Sequence, residues 1–306
     1  MTIQEIKNHK TAVKLLAAAG LIFTTIIWGS SFAVMKNSLD ILPPAYLLAI
    51  RFSMAAICLV AVFIKKIKKM SKQDLLYGSI LGIFLFLAYL FQTYGLKYTT
   101  ASKNAFITTL YVILVPFLHW KINHTKPKPN NITAAVFAVA GLGLLTLEGD
   151  LSVNPGDLLT FLCGVCFAVH IVYIERYTVK HDPIVLTVVQ ITVCAVLNWC
   201  AAPLLEGRLD LKQMNGNLML SLMYLAVLCT MLGFLLQNVG QKYLAPGITS
   251  LLLSFESVFG LIFSVILLGE RLTVKLMAGC VLMFAAVLIS EVQWKSGKAQ
   301  TIPEHT

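Results

Sequence analysis

Charge is what this sequence has least of. Asp, Glu, Lys and Arg make up 12% of its 306 residues while 58% are hydrophobic, against about 25% charged in an average soluble domain. An ordinary water-soluble globule is thereby excluded. No Walker A loop is present, which disfavours an ATP-driven pump. No aspartate sits in the middle of an apolar run, no nucleophile stands beside a base, and His119, His124 and His181 lie at the ends of such runs or in loops. A membrane-embedded enzyme is disfavoured on those grounds. No cofactor, metal or nucleic-acid partner is expected. All seven cysteines fall within apolar runs, so no extracellular disulfide framework is suggested. Cys163 and Cys166 form a CxxC at lipid depth without a second ligand pair, which reads as small-residue packing.

Long apolar runs are what the chain has instead. Ten are expected to span a bilayer, since about 20 helical residues cross its core: Val13 to Met35, Pro43 to Ile64, Leu75 to Tyr94, Ala101 to Trp120, Ile132 to Leu147, Gly156 to Ile174, Pro183 to Leu205, Leu218 to Val239, Gly247 to Leu268 and Val274 to Val292. The expected fold is an all-α integral membrane protein of ten transmembrane helices, with loops too short for a soluble domain. The first run follows Lys7, Lys10 and Lys14 as a signal peptide's would, but it exceeds an h-region and lacks an A-x-A-like cleavage site, so a retained helix is expected.

The formal charge of +10 reads as topology. With the N-terminus inside, the cytoplasmic side holds sixteen Lys and Arg, including Lys65, Lys66, Lys68, Lys69, Lys72, Lys121, Lys126, Lys128, Arg176, Lys180, Lys242, Lys295 and Lys298. The other side holds seven: Lys36, Lys97, Lys103, Arg208, Lys212, Arg271 and Lys275. Both termini are therefore expected in the cytoplasm. The KKIKK cluster, Lys65 to Lys69, could also bind anionic lipid, but the topological role needs no extra assumption and is favoured.

QTYGLKY, Gln92 to Tyr98, returns as QNVGQKY, Gln237 to Tyr243, at an offset of 145 residues (237 minus 92). The chain reads as a duplication with units over residues 1–147 and 148–306. Five spans per unit is an odd number, so the second unit enters the membrane from the opposite face and the repeats are inverted. Inverted repeats are typical of secondary transporters, which open a midplane site alternately to either face. Lys97 and Tyr98 at one face, with Lys242 and Tyr243 at the other, are the candidate gates; each Lys-Tyr pair reads equally well as an interfacial anchor.

Two formal charges lie at membrane depth, Arg51 and Glu256, joined by the ionisable His170. A lone charge at the bilayer centre costs at least about 2.5 kcal/mol, so each should face the bundle interior or a wet cavity. Glu256 is nine residues past Gly247, about 14 Å along a helix, near mid-membrane. It is a candidate proton carrier or counter-charge for a substrate ammonium. Arg51, about 12 Å deep, could pair with Glu256 or attract a carboxylate. His170 is a lesser candidate for proton coupling. The offset of 145 maps Glu256 onto Tyr111. Tyr89, Gln92, Thr108, Gln237 and Asn238 could line a polar passage or serve as interhelical glue. In WGSSF, Trp28 to Phe32, Gly29, Ser30 and Ser31 allow close helix approach and bonding of hydroxyls back to carbonyls. Ser31 and Trp28 are cavity candidates, Trp28 as a lid that stacks on substrate or as an interfacial belt residue.

These stretches resemble the drug/metabolite transporter superfamily in its EamA-type branch. The likeness rests on WGSSF, on LKYTTASKNAFITTLYVILVP from Leu96 to Pro116, on NPGDLL from Asn154 to Leu159, and on APGITSLLLSFESVFGLIFSVILLGERLT from Ala245 to Thr273. It implies a bacterial cytoplasmic-membrane permease, often an exporter of amino acids or other small metabolites, with the first, third, fourth, sixth, eighth and ninth helices around a central cavity. Many members carry proline directly after the ninth-helix glutamate; here Ser257 follows Glu256, which puts a break in that helix in doubt, while Pro116 offers a kink in the other half. GERLT, Gly269 to Thr273, reads as a turn with Thr273 as N-cap of the last helix. The expected partners are a small-molecule substrate and the bilayer, with proton coupling open. A non-transporting receptor or scaffold on the same architecture is the alternative. Gly78 and Gly82 could serve a homodimer or packing within one chain.

Overall fold

The computed structural model describes residues 3–123, 126–127, 129–147, 153–209, 214–244 and 246–291. His124, Lys128, Lys212, Ala245, Val292, Lys295 and Lys298 lie outside the described residues. The helices are α1 (Ile3–Ser38), α2 (Pro44–Ile67), α3 (Lys72–Tyr98), α4 (Ala101–Thr108), α5 (Tyr111–Asn123), α6 (Pro129–Thr146), α7 (Pro155–Thr178), α8 (Pro183–Glu206), α9 (Gly216–Met223), α10 (Gly233–Tyr243), α11 (Pro246–Leu268) and α12 (Val274–Glu291), with a π-helical stretch, Tyr224–Leu232, joining α9 to α10. Among the described residues nine helical stretches are long and apolar enough to cross a membrane, and a tenth, Val274–Ser290, is apolar but shorter. The fold is all-helical, as the hydropathy pattern predicts.

Two crossings are interrupted. Between α4 and α5 the bonding tightens, with the N–H groups of Leu110, Val112 and Ile113 donating three residues back to Ile107, Thr109 and Leu110 at 3.0 to 3.2 Å. Pro116 lies inside α5, and its ring excludes the carbonyl four residues earlier. The tight turn therefore precedes the proline instead of coinciding with it. In the π-helical stretch, Thr230 Oγ1 donates to the Leu225 carbonyl five residues back at 2.8 Å. Such wide turns free a carbonyl from the α ladder and cluster at functional sites. By contrast α11 runs unbroken past Glu256, and Ser257 Oγ bonds back to the Ser254 carbonyl at 2.8 Å.

Side chains close the helix ends. Ser71 and Asp74 form a capping box on α3, Asn154 and Asp182 cap α7 and α8, and Thr273 Oγ1 accepts from Leu276 N at 3.1 Å on α12. Ion pairs and caps then define two faces. The end of α1 meets the ends of α3 and the start of α7 at one of them, called here the α3–α4 face. At the other, the α2–α3 face, Lys66 pairs with Asp182 at 2.6 Å, His181 with Asp74 at 2.5 Å and His119 with Glu175 at 3.4 Å.

The main interfaces run between the two halves of the chain. α1 packs on α11 and α10, α3 on α7 and α8, α2 on α8, and α6 on α12. Missing side chains permit two of these crossings. A Cβ on Gly29 would meet Phe259 Cβ at 2.5 Å and the Gly260 nitrogen at 2.8 Å. A Cβ on Gly95 would meet the Gly156 carbonyl at 2.8 Å, and one on Gly156 the Gly95 carbonyl at 2.7 Å. Thus the glycine of QTYGLKY rests on the glycine of NPGDLL. Gly78 and Gly82 face Val189 and Val193 of α8, so this pair serves packing within one chain. Apolar side chains cover the outside, Leu204 being 85% and Val274 89% exposed, a surface suited to lipid.

Candidate functional site

A narrow pocket lies between the halves, lined by Trp28 and Ser31 of α1, Tyr89 and Gln92 of α3, Tyr111 of α5, Phe167 and Ile171 of α7, Gln237 of α10, and Leu253 and Glu256 of α11. Seven of the sequence-expected cavity residues meet here: Trp28, Ser31, Tyr89, Gln92, Tyr111, Gln237 and Glu256. Among the described residues Glu256 is the single formally charged one in the lining, and it is buried. The Tyr111 hydroxyl is buried there without a hydrogen-bond partner. A second hollow, lined by Phe106, Thr109, Leu110, Ile113, Ser257, Met283, Phe284 and Val287, carries no charge among the described residues.

The pocket walls are fixed from behind. Trp28 Nε1 donates to the Cys229 carbonyl in the π-helical stretch at 2.7 Å, and its ring lies 5.1 Å from that of Phe234. Ser30 and Ser31 return their hydroxyls to the Ile27 and Trp28 carbonyls at 2.9 and 2.7 Å, as WGSSF suggests. Ser30 also shares a 2.5 Å hydrogen bond with the Tyr224 hydroxyl. Tyr89 meets Phe167 nearly edge to face at 5.5 Å, and Tyr111 meets the same ring at 6.3 Å. Gln92 Nε2 donates to Thr108 Oγ1 at 3.3 Å. Thr108 therefore stands behind the pocket wall and not in it. Gln237 Oε1 is buried without a hydrogen-bond partner, an acceptor left over for whatever enters.

Arg51 does not pair with Glu256. Fully buried, it donates through Nε to Thr230 Oγ1 at 2.6 Å and through Nη1 to Met35 Sδ at 3.0 Å. Its guanidinium carbon lies 4.9 Å from the Tyr89 ring centroid, a cation–π contact, and its Nη2 is buried without a hydrogen-bond partner. His170 also stands outside the lining. Its Nε2 shares a 2.7 Å hydrogen bond with Gln190 Oε1, and its ring packs between Phe167 and Phe234. Asn238 donates to Thr187 Oγ1 at 2.6 Å.

The four gate candidates sit at helix ends. Tyr98 and Tyr243 are 54% and 44% exposed, and Lys97 Nζ lies 5.9 Å from the Tyr98 ring. Other side chains tie the turn they flank. Lys36 Nζ donates to the carbonyls of Leu96 and Thr99 at 2.6 and 2.7 Å. Thr99 donates to Asp157 at 2.5 Å, and Lys103 pairs with Asp157 at 3.5 Å. Glu270 of GERLT accepts from Ala101 N at 2.7 Å and from the Ser102 hydroxyl, capping α4 from across the bundle. Glu206 caps α2 likewise, accepting from Ala45 N and Tyr46 N at 3.0 and 3.2 Å.

Sequence reasoning did not single out these anchoring charges or the lining residues Phe167, Ile171 and Leu253. Charge at a span end was the one available signal for the first group. The second is indistinguishable from core in a chain so apolar throughout.

A helical bundle that crosses the bilayer and encloses a polar pocket between its halves defines a membrane transporter. The chain belongs to the EamA-like transporter family, which it matches over residues 15–147 and again over 154–291. An uncharacterized transporter of Archaeoglobus fulgidus is 33% identical over 276 residues, 90% of this chain and 86% of the relative. The uncharacterized transporter YyaM of Bacillus subtilis is 27% identical over 86% of this chain and 90% of its own. A probable amino-acid metabolite efflux pump of Salmonella typhimurium is 28% identical over 88% of this chain and 92% of its own. One solved crystal structure shares the fold with a TM-score of 0.67 at 18% identity, covering 92% of this chain and 96% of the other.

Proposed function

We propose that this protein is a secondary transporter that exports small metabolites such as amino acids by alternating access. The observation that carries the reading is a buried carboxyl, Glu256, in a pocket whose walls come from both halves of the chain. A site so placed can be exposed to one side and then the other by moving one half against the other. The helix ends support inversion of units 1–147 and 148–306, because α1 ends at the face where α7 begins. The distribution of basic residues supports a cytoplasmic α2–α3 face, with both termini inside and the protein in a cytoplasmic membrane.

In this scheme Lys97 and Tyr98 mark the outer gate and Lys242 and Tyr243 the inner one. Contacts of Lys36, Asp157 and Glu270 hold the outer turn in place. Glu256 is the candidate for proton coupling; His170, bonded to Gln190, is the second. The test is exchange of labelled amino acids across proteoliposomes, with and without an imposed pH gradient. Saturable flux that Glu256→Gln abolishes is expected. Saturable binding without flux for any solute would identify a receptor on a permease fold instead.

A further inference from the structure

The chemistry of the pocket wall is one-sided. Among the described residues its single charge is the Glu256 carboxyl, and four of the other lining residues are aromatic: Trp28, Tyr89, Tyr111 and Phe167. No Lys, Arg or His among the described residues lines it. The nearby cation, Arg51, is outside that lining: it contacts the Tyr89 ring and bonds to Thr230, with its Nη2 buried and unpartnered. An anionic group entering the pocket would meet the like charge of Glu256 with no cation in the wall itself. An ammonium would meet the counter-charge that a carboxylate at membrane depth requires, together with ring faces that attract cations. Ile171 and Leu253 offer an apolar wall for the rest of the ligand.

We infer that the pocket recognises the ammonium end of a small amphipathic amine. Glu256 is the counter-charge, and the aromatic rings, Tyr89 above all, form the box around it. Specificity follows from repulsion as much as attraction: a net cation binds best, a zwitterion with the same apolar body less well, and the corresponding carboxylate least. Arg51 is a positioning residue, holding Tyr89 through the cation–π contact. This inference rests on the pocket being the solute site proposed above, but not on the solute being moved.

The test measures binding to the purified full-length protein in detergent by titration calorimetry, using ligands that share one ring: phenethylamine, phenylalanine and 3-phenylpropionate, with methylamine and butylamine as smaller amines. At least one amine is expected to bind about tenfold or more tightly than 3-phenylpropionate, as a paired charge and cation–π contacts imply. Glu256→Gln should lose that preference, Glu256→Asp should recover part of it, and Tyr89→Leu should weaken the amine several-fold while leaving the carboxylate unchanged. Variants are compared only where gel filtration shows the wild-type elution volume; Glu256→Asp and Tyr89→Leu carry the test if Glu256→Gln does not fold. Equal or tighter binding of 3-phenylpropionate, amine affinity untouched by Glu256→Gln or by Tyr89→Leu, or no binding of any amine would overturn the inference. Amine binding with no flux in proteoliposomes would defeat the transport reading alone. Saturable flux of a carboxylate without amine binding would defeat this one alone.

Discussion

Replacing Gly29 by alanine should separate two helices that the pocket needs together. The new Cβ would stand 2.5 Å from Phe259 Cβ and 2.8 Å from the backbone of α11, where carbon atoms pack best at about 3.5 to 4.0 Å. Backbone cannot rotate aside, so α1 and α11 must part by roughly 1 Å, and overpacking of this kind costs about 1 to 3 kcal/mol. Losing a helical glycine returns up to about 1 kcal/mol. The net expectation is a destabilisation of about 1 to 2 kcal/mol. Gly20→Ala is the control: it lies on the same helix and makes the same propensity gain, but its Cβ would meet only the end of the Leu236 side chain, at 3.4 Å. The assay is thermal unfolding in detergent followed by tryptophan fluorescence. With about 2 to 4 °C per kcal/mol for a chain of this order of size, Gly29→Ala should melt several degrees below Gly20→Ala. Because α1 carries Trp28 and Ser31 and α11 carries Leu253 and Glu256, the same variant should also lose transport. A Gly29→Ala protein that melts at or above Gly20→Ala would refute the close-approach argument.

Four other outcomes follow from the geometry. Glu270→Ala uncaps α4 and should cost about 1 to 2 kcal/mol while raising the rate at which an impermeant thiol reagent labels Ser31→Cys; unchanged labelling would remove this turn from the gate. Arg51→Met replaces a buried charge by a side chain of similar size and should leave stability nearly unchanged or improved while solute affinity falls; equal affinity would mean that Arg51 does not hold Tyr89. Burial pushes the Asp182 carboxyl up, but hydrogen bonds from Lys66 and from Ile184 N–H outweigh it and hold the group below its ordinary value. The stability it contributes is present above the unfolded carboxylate range and is lost as pH falls through the lower folded value, so Lys66→Met should bring on acid unfolding at higher pH than in the wild type. Finally, cysteines at Lys97 and Lys242 should label from opposite sides of sealed vesicles; labelling from one side would end the inverted-repeat reading.

The spans were legible because hydropathy needs no knowledge of packing, and the helical interruptions were not. The wide turn at Tyr224–Leu232 contains no proline or glycine to mark it; it is sustained by Trp28 and Arg51, whose chain positions are some 200 and 180 residues away. Glu256, Gln92 and Gln237 stood out because a polar group at lipid depth needs a reason. Arg51 stood out equally, yet its partner Thr230 could not be chosen from sequence, since a threonine in an apolar run bonds to its own helix as readily as to another. Glu270 was visible only as a mark of family, for a carboxylate in a loop says nothing about which distant helix it caps.

The interfaces described above have a consequence for synthesis. α1 finds its main partners in α11 and α10, and α3 finds its own in α7 and α8. The five spans made first therefore have little to pack on, while their lipid-facing surfaces are already satisfied by the bilayer. They are expected to wait there as inserted but unassembled helices, with Arg51 lacking its Thr230 partner, until the second half emerges. Assembly is then a late event in which the two halves interleave like fingers. A chain cut short after the first repeat would be expected to insert normally, fail to assemble, and recover only when the missing half is supplied in the same membrane.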